Sequence, residues 1–178
     1  MSTSVASVLA ELVDNEEATA ILLSSETRIQ KYLKECLSGY DIIAEDVLND
    51  VAHVDSYSGA VEVREISFYS YCGHHFAPFF GTADVVYRPN KIITGLGKIV
   101  RLVRDVHAKR LQIQELMTKD IACDIYRVLD AEAVHVETKA KHLCMCGRGP
   151  NDDTAETVVT YTIGDIDTRQ LNKTNNLA

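Results

Sequence analysis

Apolar residues recur at helical spacing over residues 5–13 and again over 16–37, where Ser24, Ser25, Glu26 and Thr27 interrupt the pattern as a helix start would. The spacing predicts a helical N-terminal arm, punctuated after it by Ser38, Gly39 and Tyr40. A polar stretch over 49–60 leads into residues 61–72, where Ile66, Phe68, Ser70 and Cys72 share one strand parity while Val61 and Val63 have the other. A parity change inside one strand predicts a bulge near Glu65. Residues 80–87 predict the next strand, closed by Arg88, Pro89 and Asn90. A helix then opens around Gly95, with Ile99, Leu102, Val103 and Val106 as its buried stripe and Lys98 and Arg101 beside it. A second helix is expected over 114–129. Val134, Val136, Thr138 and Ala140 then alternate with His135, Glu137, Lys139 and Lys141 as a half-buried strand, whose inward parity His142 and Cys144 are expected to continue. Residues 158–163 give a last strand, and 165–178 read as a polar tail.

This order, strand–strand–helix–helix–strand–strand behind a helical arm, predicts an α+β domain with an antiparallel four-stranded sheet. The expected division is a helical arm over 1–40, a main domain over 41–164 and a tail over 165–178. At 178 residues, 46% hydrophobic and 25% charged, the chain suits one globular domain. The start lacks the basic and long apolar regions of a signal peptide, and no run reaches transmembrane length, so a soluble cytoplasmic protein is expected. Five irregularly spaced cysteines predict reduced thiols rather than a disulfide framework. A net charge of −8 argues against nucleic-acid or anionic-membrane partners, so an anionic ligand would need a local basic cluster.

Chemistry concentrates in two places. Cys72 stands two residues before the pair His74 and His75, and His142 and Cys144 form a second thiol–imidazole group some seventy residues on. Thiolate and neutral imidazole are the ligands zinc prefers, and three protein ligands leave a fourth position for water. Hydrolysis is the chemistry this favours.

Four motifs carry more. The stretch 68–81 containing Cys72-Gly73-His74-His75, the segment Gly95-Leu96-Gly97-Lys98 with Arg101, Gln112-Ile113-Gln114-Glu115, and His142-Leu143-Cys144 with Arg148 together closely resemble GTP cyclohydrolase I, from about residue 26 to residue 164. The resemblance implies a tunnelling fold in which the sheets of five subunits close a barrel. Two such rings would stack into a homodecamer with active sites at subunit boundaries. It implies zinc-dependent hydrolysis of GTP at C8, loss of formate and closure to 7,8-dihydroneopterin triphosphate, the first step toward pterins and folate. By motif match Cys72, His75 and Cys144 would hold Zn2+. His74 and His142 would move protons, a task suited to a side chain titrating near neutrality. Glu115 would accept the N1–H and amine of guanine, and Gln114 would contact the ribose side. Lys98, Arg101 and Arg148 would meet the triphosphate, with Arg28 and Lys31 aligning as another such pair.

Three departures stand out. The family usually has glutamate at the position of Gly73 and serine at that of Gly97, and basic residues where 150–156 is acidic. The lost serine hydroxyl bears on the late rearrangement, so an enzyme that stops at a ring-opened product is a second reading. A third is a nucleotide-binding scaffold with a closed zinc site, Cys146 serving as fourth ligand because it shares strand parity with Cys144. His53, His107 and His135 match no family motif.

Overall fold

The computed structural model describes residues 4–55 and 57–166, so most of the polar tail lies outside the described residues. The arm is three helices, α1 (Val5–Ala10), α2 (Glu16–Ser24) and α3 (Glu26–Cys36). Side chains close the open amides at two of their starts: the Ser4 hydroxyl accepts from Ser7 N at 3.1 Å, and Asn15 Oδ1 accepts from Ala18 N at 2.8 Å. The carboxylate of Glu26, within the expected break, accepts from Ala6 N at 2.8 Å and ties α1 to α3. A 3-10 turn (Ser38–Asp41) and α4 (Ala44–Leu48) lead into the main domain.

The strands are β1 (Val51–His53), β2 (Val61–Cys72), β3 (Pro78–Arg88), β4 (Ile92–Thr94), β5 (Leu111–Gln112), β6 (Ala133–His142) and β7 (Thr157–Ile163). β2, β3, β6 and β7 form the expected antiparallel sheet. Two pairings were not foreseen: β5 joins the β2 edge in parallel, and β1 pairs with β4 outside the main sheet. The bulge falls where parity predicts, between Val63 and Ile66. There Glu65 takes a left-handed φ of 53°, and its amide donates to Asp84 Oδ1 at 2.6 Å.

Two helices cover one face of this sheet. α5 (Leu96–Arg101) runs on into a π-helical turn (Leu102–His107), and α6 (Gln114–Val128) follows β5. Ile99, Leu102, Val103 and Val106, the expected stripe, are all fully buried. On α6 the buried face is Met117, Thr118, Ile121, Ala122 and Ile125, at the three-and-four spacing of one helix side. Both stripes meet Phe79, Val85, Tyr87, Val134 and Val136 from the sheet in a single core. The apolar spacing predicts ordinary helix through this π turn, because six residues do not separate one winding from the other. Among the described residues no helix is long and apolar enough to cross a membrane.

Strand β3 leaves no room for a side chain against β6 at Gly81, where an added Cβ would stand 1.8 Å from the Lys139 carbonyl oxygen and 2.8 Å from Ala140 Cα. Only backbone could yield there, so Gly81→Ala is expected to destabilise the fold by about 3 kcal/mol. A lower urea midpoint at unchanged slope would show it.

Candidate functional site

β2 ends at Cys72 and turns sharply through 73–77 into β3. The turn is fixed by backbone: the Cys72 carbonyl accepts from His75 N at 3.3 Å and Phe76 N at 2.8 Å, while Cys72 N donates to Ala77 O at 2.8 Å. Gly73 N donates to Gln112 O at 2.7 Å, which docks the turn on β5 and on the start of α6. The sheet interior thereby holds Cys72, while His74 and His75 stand exposed at its end.

The second thiol arrives differently from expectation. β6 stops at His142, and residues Leu143–Cys146 form a one-turn helix, α7. Strand parity therefore does not govern Cys144, which is buried because it faces inward from that turn. The same finding removes the parity argument for Cys146, which is half-buried.

Cys72 Sγ, a His75 ring nitrogen and Cys144 Sγ lie within 4.8 Å of one another, and among the described residues this is the one such group of three or more potential ligands. Cys146 is not part of it. Burial pushes the Cys144 thiol up, and the neighbouring Cys72 pushes it further. A buried thiol held neutral beside a second buried sulfur is a donor that a thiophilic cation would convert to thiolate. A set of two sulfurs and one imidazole, drawn from two separate elements, fits zinc. His74 Nδ1 lies 3.8 Å from Cys72 Sγ.

Beside this cluster His142 stacks on Phe79, with ring centroids 4.5 Å apart and planes 5° from parallel. Its Nε2 lies 2.8 Å from Gln114 Oε1. Burial lowers the His142 pKa, partly offset by the negative charge of Glu115, so the neutral ring is favoured. Gln114 opens α6 and is buried, whereas Glu115, the next residue, is exposed on the first turn. Arg148 is exposed, and its charge acts on Cys144. One neighbourhood thus gathers Cys72, His74, His75, Gln114, Glu115, His142, Cys144 and Arg148.

The other cations stand elsewhere. Lys98 and Arg101 are on α5, Arg28 and Lys31 on α3, and Lys31 Nζ lies 3.9 Å from Glu35. No hydrogen bond or ion pair among the described residues ties these four to the Cys–His cluster. Reading the sequence missed Thr118, Thr138 and Thr157, which surround the Gln114 side chain. Threonine in a half-buried strand or helix carries no signal of its own. Both unusual glycines have room around them: a Cβ at Gly73 would meet nothing closer than Gln112 O at 3.4 Å, and one at Gly97 nothing within 4 Å. Neither is required by packing.

Comparison with known proteins gives a consistent result. The family model for GTP cyclohydrolase I matches residues 1–178. The protein named GTP cyclohydrolase 1 in Campylobacter jejuni (strain RM1221) is 45% identical over 128 residues, 72% of this chain and 67% of that one. Its namesake in Leptospira biflexa is 41% identical over 143 residues, 80% and 78% of the two chains. The one in Chlorobaculum tepidum is 39% identical over 170 residues, 96% and 75%. Among solved structures, the archaeosine synthase QueF-Like in its apo form aligns with a TM-score of 0.49 at 15% identity, over 62% of this chain and 99% of that one, too distant to bear on activity.

Proposed function

Since this chain belongs to the GTP cyclohydrolase I family, we propose that it hydrolyses GTP at C8, releases formate and forms 7,8-dihydroneopterin triphosphate. The observation that carries this reading is the meeting of Cys72, His75 and Cys144 within 4.8 Å, next to His142 and Glu115. Those three residues would hold Zn2+. When bound, zinc there supplies a Lewis acid able to make water a nucleophile near neutral pH.

The chain's own groups do the rest. His142, kept neutral by burial, is ready to accept a proton, and His74 is the second imidazole within reach of the cluster. Exposed Glu115 offers two carboxylate oxygens to the N1–H and exocyclic amine of guanine, an edge adenine does not present. Arg148 meets the triphosphate from the Cys144 side. Lys98, Arg101, Arg28 and Lys31 are its further cations, supplied across subunit boundaries. That requires a homo-oligomer, and a decamer of tunnelling-fold subunits is the assembly we infer. Its support is an apolar patch at the β2–β3 end of the sheet, where Tyr69 and Phe80 on the strands and Phe76 in the turn between them are exposed, with Tyr69 stacked on Phe80 at 6.1 Å. The catalytic unit would be 41–164, with 1–40 as its arm. Five free cysteines suit a reducing compartment, and we place the activity in the cytoplasm.

Incubating the purified protein with GTP tests this, with formate and pterin fluorescence followed together and ATP as control. Equal amounts of both products from GTP, and neither from ATP, are expected; neither product from GTP would reject the reading. A ring-opened species accumulating without fluorescence would favour the second reading, which the open space at Gly97 supports. Gly97→Ser is accordingly expected to leave Tm unchanged and to speed pterin closure severalfold; an unaltered closure rate would mean the backbone N–H suffices.

A further inference from the structure

The Gln114 amide is saturated from within the chain. Its Nε2 lies 3.2 Å from the Thr138 carbonyl, 3.1 Å from the Thr138 hydroxyl and 3.3 Å from the Thr157 carbonyl. Carbonyl oxygens only accept, so the end of the amide facing β6 and β7 must be the nitrogen. Its oxygen then faces the other way, where Thr157 Oγ1 lies at 2.6 Å and His142 Nε2 at 2.8 Å.

The hydroxyl protons can be followed in the same manner. Thr118 Oγ1 lies 2.8 Å from the Gln114 backbone carbonyl and must donate to it. Its lone pair is then free to accept from Thr138 Oγ1 at 2.7 Å, and Thr138 Oγ1 accepts in turn from Gln114 Nε2. Thr118 and Thr138 are fully buried, so water does not compete. The ring of bonds through Thr118 and Thr138 closes with every proton assigned, while the one proton of the Thr157 hydroxyl is shared between Gln114 Oε1 and the Ala140 carbonyl at 3.0 Å. His142 Nε2, facing an oxygen that can only accept, must carry its proton. Stacking on Phe79 holds the ring plane.

We propose that Thr118, Thr138 and Thr157 are positioning residues which, through Gln114, hold His142 as the Nε2–H tautomer and leave Nδ1 as its single proton-accepting atom. The proposal rests on the reading above in giving His142 a proton to move. It also deepens that reading, because the Gln114 side-chain amide is fully engaged within the chain and acts through His142 instead of on a ribose. The same logic orients metal-bound or reacting imidazoles elsewhere: the partner of one ring nitrogen decides what the other can do.

The test uses the purified full chain, its histidines labelled with nitrogen-15, and solid-state NMR of the ring nitrogens. The His142 signals are identified by their loss in His142→Gln. In the unaltered protein the expected result is a protonated Nε2 and a bare Nδ1; a proton on Nδ1 overturns the proposal with no variant needed. Gln114→Leu is expected to mix the two tautomers. Thr138→Val, of equal size without the hydroxyl, is expected to lower kcat about tenfold with KM for GTP held, and Thr138→Ser to restore it. A raised KM with kcat unchanged in Gln114→Leu would instead make Gln114 a substrate contact. If no variant, nor the parent, releases formate from GTP, the proposed reaction fails, while the nitrogen signals still decide the tautomer.

Discussion

Replacing Cys144 by serine is expected to abolish formate release from GTP, by at least about a thousandfold, and to leave the purified protein with little bound zinc. The site has three donors within 4.8 Å, and a hydroxyl is a poor substitute for a thiolate in a set of two sulfurs and one nitrogen. The fold should survive, because serine is no larger than cysteine and α7 is held by backbone bonds, Gly147 N donating to Leu143 O at 3.1 Å. Cys146→Ser supplies the contrast. Cys146 stands outside the three-donor group, so that variant should keep both metal and activity. Elemental analysis beside a formate assay reads both, and loss of zinc in Cys146→Ser would revive the closed structural site.

Replacing Glu115 by alanine is expected to lower kcat/KM for GTP about a thousandfold while zinc content is unaltered. Two charge-assisted hydrogen bonds to guanine, each about 2 kcal/mol, amount to some three decades. Glu115 is exposed and makes no hydrogen bond or ion pair among the described residues, so its removal should cost the fold little. The variant also withdraws a negative charge that raises the His142 pKa, so that ring should titrate at still lower pH. An alanine variant that processes GTP normally would show that the base is read elsewhere.

The long elements were legible because each carries one period over many residues. The alternation from Val134 to Lys141 became β6, with Val134, Val136, Thr138 and Ala140 inward. The parity change at Glu65 became the bulge, since a period of two has no other way to shift a hydrophobic set across a strand. What escaped was short or depended on distant partners. β5 is two residues long and exists through pairing with Tyr71 and Cys72. β1 sits in a stretch read as polar and exists through β4.

The candidate site divides along the same line. Cys72, His75 and Cys144 could be nominated from residue type and motif, and the fold brings them together. Yet Cys144 reaches its place from a helical turn, because β6 pairing with β3 begins at Phe79 and His142 and extends no further. The threonines around Gln114 were invisible, since their importance lies in which lone pairs they leave for a neighbour. Arg28, Lys31, Lys98 and Arg101 were nominated by resemblance, and no hydrogen bond or ion pair among the described residues ties them to the Cys–His cluster.

The most direct measurement compares the protein stripped of metal by a chelator with the same preparation reloaded with zinc, formate release from GTP being followed in each. The account predicts that the stripped protein is inactive and that about one zinc per chain restores release, with Cys144→Ser failing to respond. Equal activity in both preparations, or reloaded protein that binds zinc at Cys72, His75 and Cys144 and still leaves GTP intact, would contradict it.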